Sequence, residues 1–133
     1  MRKVMVVDDD PGVLEWMTQL LTHAGFEVTP AEGGRAAIQE LCRAVVDGTE
    51  YDAILLDIAM PEINGWRVLD AIKGNPLWSD MKVIVLSGYS QSPEALSRVA
   101  RYDGVFVEKK GDFDRLVVGL LGRLLAEPEP VVT

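Results

Sequence analysis

The chain has 133 residues, of which 48% are hydrophobic and 26% are charged, which is enough apolar material for one core and leaves no room for a second domain. Its 21 acidic and 13 basic residues give a net charge of -8, which disfavours direct binding to nucleic acid or to anionic membranes. The first apolar stretch ends at Asp8, too early for a signal peptide or a membrane span.

Five short apolar runs rich in β-branched residues predict five strands. In chain order they cover residues 4–7, 26–29, 53–56, 83–86 and 105–107. The first, third and fourth runs are apolar throughout, which is typical of parallel strands covered by helices on both faces.

Apolar residues with helical spacing lie between and after these runs. The five sets are Val13, Leu14, Met17, Leu20 and Leu21; Ala37, Ile38, Leu41 and Val45; Val68, Leu69 and Ile72; Leu96, Val99 and Ala100; and Phe113, Leu116, Val117, Leu120, Leu121 and Leu124. Residues suited to helix boundaries flank the sets: Asp10, Ser92 and Asp112 at starts, and Gly25, Gly48 and Gly74 at ends.

This alternation of strand and helix predicts a doubly wound α/β fold, in which helices cover both faces of a five-stranded parallel sheet. We assign the domain to residues 1–126. The remaining residues, 127–133, contain the sequence Glu-Pro-Glu-Pro and are interpreted as an extended tail or the start of a linker.

The single cysteine, Cys42, excludes an internal disulfide and indicates a reducing, cytoplasmic location. It stands among Ile38, Leu41 and Val45, so we expect a small buried side chain there and not a reactive thiol.

Ligands of doubly wound sheets bind beyond the carboxyl ends of the strands. Four predicted strands are followed there by acids, a hydroxyl or an amine: Asp8, Asp9 and Asp10; Asp57; Ser87 and Gly88; and Glu108 and Lys109. Clustered aspartates repel one another unless a cation offsets their charge, and carboxylates without nearby histidine or cysteine suit Mg²⁺. Asp10 is better suited to capping the helix that starts at Pro11.

Asp57 ends an apolar strand, where an unpaired carboxylate would be costly to desolvate. Lys109 could serve as a purely structural ion-pair partner, but a lysine, a hydroxyl and a metal ion around one carboxylate also form a cradle for a phosphoryl group. Gly88 fits the cradle because its backbone N–H is open to an incoming oxygen. The aspartate run alone is equally consistent with a solvated turn that ends in a helix cap.

The sequence resembles the receiver domain of response regulators in two-component signalling, within the CheY-like superfamily. The likeness covers about residues 2–125 and is carried by VVDDDP at 6–11, LLD at 55–57 with MP at 60–61 and NG at 64–65, VIVLSG at 83–88, and FVEK at 106–109. It implies a (βα)5 three-layer sandwich with the flavodoxin-like strand order 2-1-3-4-5. It also implies that Asp57 accepts a phosphoryl group from a histidine kinase or a histidine phosphotransfer protein.

The same resemblance implies the other roles. The ligands of Mg²⁺, for which Mn²⁺ could substitute, would be Asp8, Asp9, Asp57 and the backbone carbonyl of Ala59. The groups that bind the phosphoryl oxygens would be Ser87, Gly88 and Lys109. Such a protein is a signalling phosphoacceptor that catalyses only its own phosphorylation and dephosphorylation, and not an enzyme with a separate substrate.

A two-state switch is implied as well. Ser87 would move toward phosphorylated Asp57, and Phe106 would turn inward into the vacated space. The face formed by helix 4, strand 5 and helix 5 would then signal to an effector protein or output domain, or form a phosphorylation-dependent homodimer. No direct contact with nucleic acid or membrane is expected.

Two positions depart from the family pattern. Lys110 replaces the usual proline, so the cis peptide that proline favours after Lys109 is less assured, and Phe106 has no hydroxyl, so switching would rely on ring packing. Ala59 offers no side chain to position an attacking water, and Tyr89 could screen the site. We therefore predict slow self-hydrolysis.

Two other functions stay open. A pseudo-receiver would keep the fold and bind partners without taking phosphate, although all the expected side chains are present. A Mg²⁺-dependent phosphatase that forms an aspartyl-phosphate would need a second acid two residues after Asp57, where this chain has Ala59.

Overall fold

A computed structural model describes residues 2–60, 64–89 and 91–126. Within these ranges the strands are β1 (Lys3–Asp8), β2 (Glu27–Glu32), β3 (Ala53–Asp57), β4 (Lys82–Ser87) and β5 (Val105–Glu108). The helices are α1 (Pro11–His23), α2 (Gly34–Asp47), α3 (Gly65–Lys73), α4 (Pro93–Arg101) and α5 (Phe113–Leu124), with a short 3₁₀ turn at Pro76–Trp78.

The strands form one sheet in the order β2-β1-β3-β4-β5, and every neighbouring pair is parallel. The predicted fold class and strand order are confirmed. Because β1 lies between β2 and β3, the winding direction reverses beside it, and the carboxyl ends of β1 and β3 border the crevice where ligands of this fold bind.

Two apolar layers hold the helices to the sheet. The layer facing α2, α3 and α4 contains the strand residues Met5, Val7, Ile54, Leu56, Val83 and Val85. The layer facing α1 and α5 contains the strand residues Val4, Val6, Leu55, Ile84, Leu86 and Val107. Neighbouring strand residues point to opposite faces, and both faces are covered, so β1, β3 and β4 have no polar alternation in their sequence.

All three residues predicted at helix starts directly precede a helix, and two of them cap it through their side chains. The Asp10 carboxylate accepts hydrogen bonds from Gly12 N and Val13 N at 2.9 and 3.3 Å, and the Ser92 hydroxyl accepts one from Ala95 N at 3.2 Å. Such caps satisfy backbone N–H groups that have no partner within the helix. The third residue, Asp112, precedes α5, but its side chain makes no capping hydrogen bond.

The structure differs from the sequence-based expectation at β2, at Cys42 and at three members of the predicted apolar stripes, Val45, Leu96 and Leu116, which are exposed. Strand β2 extends three residues beyond its predicted end at position 29 and includes Pro30. A proline is tolerated there because β2 is an edge strand. Cys42 is exposed, so the prediction of a buried side chain is wrong. Its neighbour Leu41 is buried, and one residue along a helix turns the side chain by about 100°.

Among the helices described, none combines the length and apolar character that crossing a membrane requires.

Candidate functional site

The carboxyl ends of four neighbouring strands supply the side chains of the site. Strands β1, β3 and β4 end at Asp8, Asp57 and Ser87, and Lys109 directly follows β5. The three strand-end residues are 3%, 5% and 1% exposed, in that order. A buried polar side chain needs a partner, because burial removes it from the water that would otherwise bind it.

Lys109 is the shared partner of the two buried acids. Its Nζ atom lies 2.9 Å from Asp8 Oδ2 and 3.3 Å from Asp57 Oδ2. Its backbone N–H donates to Ser87 O at 2.7 Å, which continues the pairing of β4 with β5 by one residue. One residue therefore contacts the ends of three different strands.

Backbone donors orient both carboxylates. Asp8 Oδ1 accepts a hydrogen bond from Asp10 N at 2.9 Å, and Asp57 Oδ1 accepts one from Ala59 N at 3.1 Å. Each carboxylate thus uses one oxygen for the backbone and the other for Lys109. An ionised carboxylate has lone pairs beyond these contacts, so both groups can accept further ligands.

The charges of the site are unbalanced. Burial raises the pKa of the Asp57 carboxyl above its ordinary value, and the charge of Asp8 adds to the rise, against the lowering effects of the Ala59 N–H and of Lys109. Burial opposes the charge on Lys109, but its hydrogen bond to Asp8 and the charges of both acids outweigh burial and raise its pKa. One ammonium must offset the negative charge of two acids. Its contact with Asp57 is the longer of the two, so the charge of Asp57 is only partly offset.

A divalent cation would offset the excess negative charge of this site. Carboxylate oxygens of Asp8, Asp9 and Asp57 lie within 4.8 Å of one another, and Asp9 is exposed at the mouth of the group. Three carboxylates against one ammonium leave net negative charge, and hard oxygen ligands are those that Mg²⁺ and Mn²⁺ prefer. The described contact of Ala59 is made by its N–H, so the role of its carbonyl stays a prediction.

Ser87 has a partner that the sequence did not indicate. Its Oγ atom accepts hydrogen bonds from Tyr89 N at 3.2 Å and from Gln91 Nε2 at 3.0 Å. No spacing or motif singles out Gln91, because it stands in a loop just before the cap of α4. Gly88, between these residues, is exposed, and a side chain added there would meet open space.

Gly65 fits tightly against the backbone that follows Asp57. A Cβ atom at Gly65 would lie 2.5 Å from both Asp57 O and Ile58 Cα, which is shorter than any ordinary contact. The first residue of α3 therefore has to be glycine for the helix to approach β3 this closely. Gly65 thus fixes how α3 meets the end of β3, whereas Pro61 lies outside the described residues.

Comparison with known proteins identifies the family. The family model "Response regulator receiver domain" matches residues 4–120. The chain belongs to this family. Among curated proteins, this receiver domain is 31% identical over 117 residues to the chemotaxis protein CheV1 of Helicobacter pylori, covering 86% of this chain and 36% of CheV1.

A second curated relative is the transcriptional regulatory protein TcrA of Mycobacterium tuberculosis. It is 28% identical over 132 residues, which is 97% of this chain and 47% of TcrA. The receiver domain thus spans between about a third and a half of the length of these two relatives.

Solved structures agree with the family assignment. The response regulator TrrA of Thermotoga maritima, solved in complex with Mg²⁺-BeF, is 33% identical with a TM-score of 0.77, covering 94% of this chain and 100% of that one. The chemotaxis protein CheY4 of Vibrio cholerae is 26% identical with the same TM-score of 0.77, covering 94% of this chain and 99% of that one.

The two family departures can now be located in the receiver domain. Phe106 is partly buried, pairs with Val85 across β4 and β5, and packs against the layer that faces α2, α3 and α4. No peptide bond within the described ranges is cis, so the bond between Lys109 and Lys110 is trans. Lys110 is exposed, and its Nζ atom lies 3.2 Å from Glu108 Oε2.

Proposed function

We propose that this receiver domain accepts a phosphoryl group on Asp57 from a histidine kinase or a histidine phosphotransfer protein, in a reaction that depends on Mg²⁺. The observation that carries the proposal is the contact of Lys109 Nζ with both Asp8 and Asp57, at 2.9 and 3.3 Å. A buried acid held beside a second acid and an ammonium is suited to receive an anionic group once a metal ion offsets the charge.

In the transfer, a carboxylate oxygen of Asp57 attacks the phosphorus of the phosphohistidine. The P–N bond breaks, its electron pair stays on the imidazole, and the new P–O bond makes a mixed anhydride. Lys109, the Ser87 hydroxyl and the Gly88 N–H would bind the phosphoryl oxygens. The chain's contribution is therefore positioning and charge stabilisation, and it acts once on itself as a signalling phosphoacceptor.

The metal would supply positive charge for the transferred group. Its ligands would be Asp8, Asp9, Asp57 and the carbonyl of Ala59, and Mn²⁺ could replace Mg²⁺. The carboxylate group described above supports this assignment. So does the relative TrrA, whose structure was determined with Mg²⁺-BeF.

Signalling would follow from movement of Ser87 toward the phosphoryl group and of Phe106 inward. The face of α4, β5 and α5 would then bind an effector protein or output domain, or a second phosphorylated copy, without direct contact to nucleic acid or membrane. The free thiol of Cys42 is in keeping with a cytoplasmic location. We assign this unit to residues 1–126, and residues 127–133, which the structure does not describe, to a tail or linker.

Incubation with acetyl phosphate, followed by intact-protein mass spectrometry, tests the proposal. The wild-type chain should gain one phosphoryl group with Mg²⁺ and almost none without it, and Asp57→Asn should gain none. Asp47→Asn, which changes an exposed acid on α2, is the matched control and should gain the group like wild type.

The other functions predict different results. A pseudo-receiver would gain no mass and show no change in tryptophan fluorescence with beryllofluoride and Mg²⁺. A phosphatase would turn over a small phosphate ester repeatedly. Decay of the labelled protein tests the prediction of slow self-hydrolysis, which rests on Ala59 and Tyr89, and a half-life of seconds would contradict it.

A further inference from the structure

Gln91 connects the Ser87 hydroxyl to the start of α4, and the transfer chemistry above does not use this contact. Gln91 Nε2 donates to Ser87 Oγ at 3.0 Å and to Tyr89 O at 3.3 Å. Because a carbonyl oxygen can only accept, the contact with Tyr89 fixes the amide nitrogen on this side. The next residue, Ser92, caps α4. Gln91 is thus joined by one peptide bond to the helix that would carry the signal.

The hydroxyl of Ser87 is held by two donors. Oγ accepts from Tyr89 N at 3.2 Å as well as from Gln91, and these two bonds use both of its lone pairs. The described contacts of the Asp57 carboxylate are instead with Lys109 and Ala59. The hydroxyl proton can still be donated to a group on Asp57, and movement of Oγ in that direction lengthens its bond with Gln91 while Gln91 stays bonded to Tyr89 O.

Helix α4 has few other attachments in the described structure. Its one fully buried residue is Val99. Its polar attachment is Arg98, which lies 2.6 Å from Asp70 and 4.7 Å from the centre of the Trp66 ring, both on α3. A hydrogen bond made one residue before the cap of so lightly attached a helix helps to set the position of its start.

We propose that Gln91 is a positioning residue that restrains the Ser87 hydroxyl and the start of α4 in the unphosphorylated arrangement. The inference rests on the function proposed above. A phosphoryl group on Asp57 draws the hydroxyl away from Gln91, and the freed amide releases the first turn of α4. The bond opposes activation, so its loss favours the phosphorylated arrangement.

The variant Gln91→Met tests this restraint, because methionine has a similar length and no N–H to donate. The readout is the affinity of the whole chain for beryllofluoride in the presence of Mg²⁺. Removal of one side-chain hydrogen bond should tighten binding about fivefold. Gln19→Met is the matched control: Gln19 is an exposed glutamine on α1 bonded to Glu15, and its replacement should leave the affinity unchanged.

A double-mutant cycle separates the restraint from a general loosening of the loop. In a Ser87→Ala background there is no hydroxyl to restrain, so Gln91→Met should no longer change the affinity. A fivefold gain that persists without the hydroxyl would overturn the proposal, as would an unchanged affinity of the single variant. A weaker affinity would also overturn it, since Gln91 would then help to place the hydroxyl for binding. A wild-type chain that binds no beryllofluoride would overturn the proposed function and this inference together.

Discussion

Two groups of charged side chains in this domain each combine two acids with one cation, but the pKa of one acid is raised in the first group and that of one acid is lowered in the second. The strand-end cluster consists of Asp8, Asp57 and Lys109, and the α2 cluster consists of Glu40, Asp47 and Arg43. In each, one cation contacts two carboxylates. The two strand-end carboxylates are 5% and 7% exposed, whereas the Arg43 and Asp47 side chains are about half exposed and that of Glu40 is 21% exposed.

The difference shows that burial, and not the count of charges, decides what such a group does. In the strand-end cluster, burial and a second acid raise the pKa of Asp57. In the α2 cluster, the Arg43 hydrogen bond lowers the pKa of Glu40 and outweighs the modest burial, assisted by a hydrogen bond from Tyr51. Water screens the α2 cluster, so its ion pairs stabilise the protein only a little. The strand-end cluster holds buried negative charge that lowers stability and that a bound cation can offset.

The largest effect is expected from Lys109→Met, which removes the cation from the strand-end cluster. Two buried carboxylates then face each other uncompensated, and the free energy of unfolding should fall by about 3 kcal/mol. Urea unfolding without Mg²⁺ measures this value. Arg43→Met makes the equivalent change in the α2 cluster and should shift the unfolding midpoint only slightly. Equal losses at the two sites would contradict the comparison.

Gly65→Ala tests the packing that holds the strand-end cluster in place. The added methyl would press on Asp57 O and Ile58 Cα, so either α3 or the end of β3 has to shift. We expect a loss of about 2 kcal/mol in the free energy of unfolding, together with slower labelling by acetyl phosphate. Gly122→Ala is the control: it adds the same methyl on α5, where no atom beyond its own stretch of helix lies within 4 Å, and it should leave both measurements near wild type or slightly improved.

Asp57→Asn should stabilise the metal-free protein. The native pKa of Asp57 is raised, so its favourable contribution exists at acid pH and is lost as the pH rises through that raised value. Above that pKa the ionised carboxylate costs stability, and a neutral amide should therefore raise the free energy of unfolding. Thermal unfolding without Mg²⁺ measures the change, and Asp47→Asn in the exposed cluster should give no gain. A lower melting temperature for Asp57→Asn would show that the charge is already compensated.

The smallest effect is expected from Glu40→Gln and has the opposite sign. The native pKa of Glu40 is lowered, so its contribution is present above the unfolded pKa and is lost as the pH falls through the native value. The variant should be less stable than wild type at neutral pH by less than about 1 kcal/mol, because water screens the pair. Urea unfolding at neutral pH and near pH 3 compares the two proteins, and the difference should shrink at the lower pH. A stability difference that persists at low pH would show that the substitution acts through packing and not through the charge of Glu40.

The fold could be predicted because its signals are local. Continuous apolar runs indicated buried parallel strands, and residues such as Asp10 and Ser92 indicated where helices begin. Once the strands are parallel, their carboxyl ends lie at one edge of the sheet. The strand order that the family resemblance implies places β1, β3, β4 and β5 side by side there, so Asp8, Asp57 and Lys109 were expected to lie close together. The acids and the lysine could therefore be brought together without knowledge of any distance.

The remaining details depend on contacts that no local pattern records. The bond between Gln91 and Ser87 depends on the path of a loop, and the fit of Gly65 depends on how closely α3 approaches β3. The exposure of Cys42 was missed because its apolar neighbours were read as a burial signal, although the buried line of α2 passes through Leu41. The length of β2 was underestimated because Pro30 usually ends a strand, and a free sheet edge removes that restriction.

That proline also affects how copies of this domain can meet. Strand β2 is one of the two edge strands of the sheet. The free backbone groups of an edge strand can pair with a strand of another molecule and so extend the sheet. Pro30 has no N–H to offer, and charged residues stand at both ends of the strand, at Glu27 and Glu32. This edge of the sheet therefore resists pairing with a strand of another molecule, so a second copy is not expected to add to the sheet beside β2.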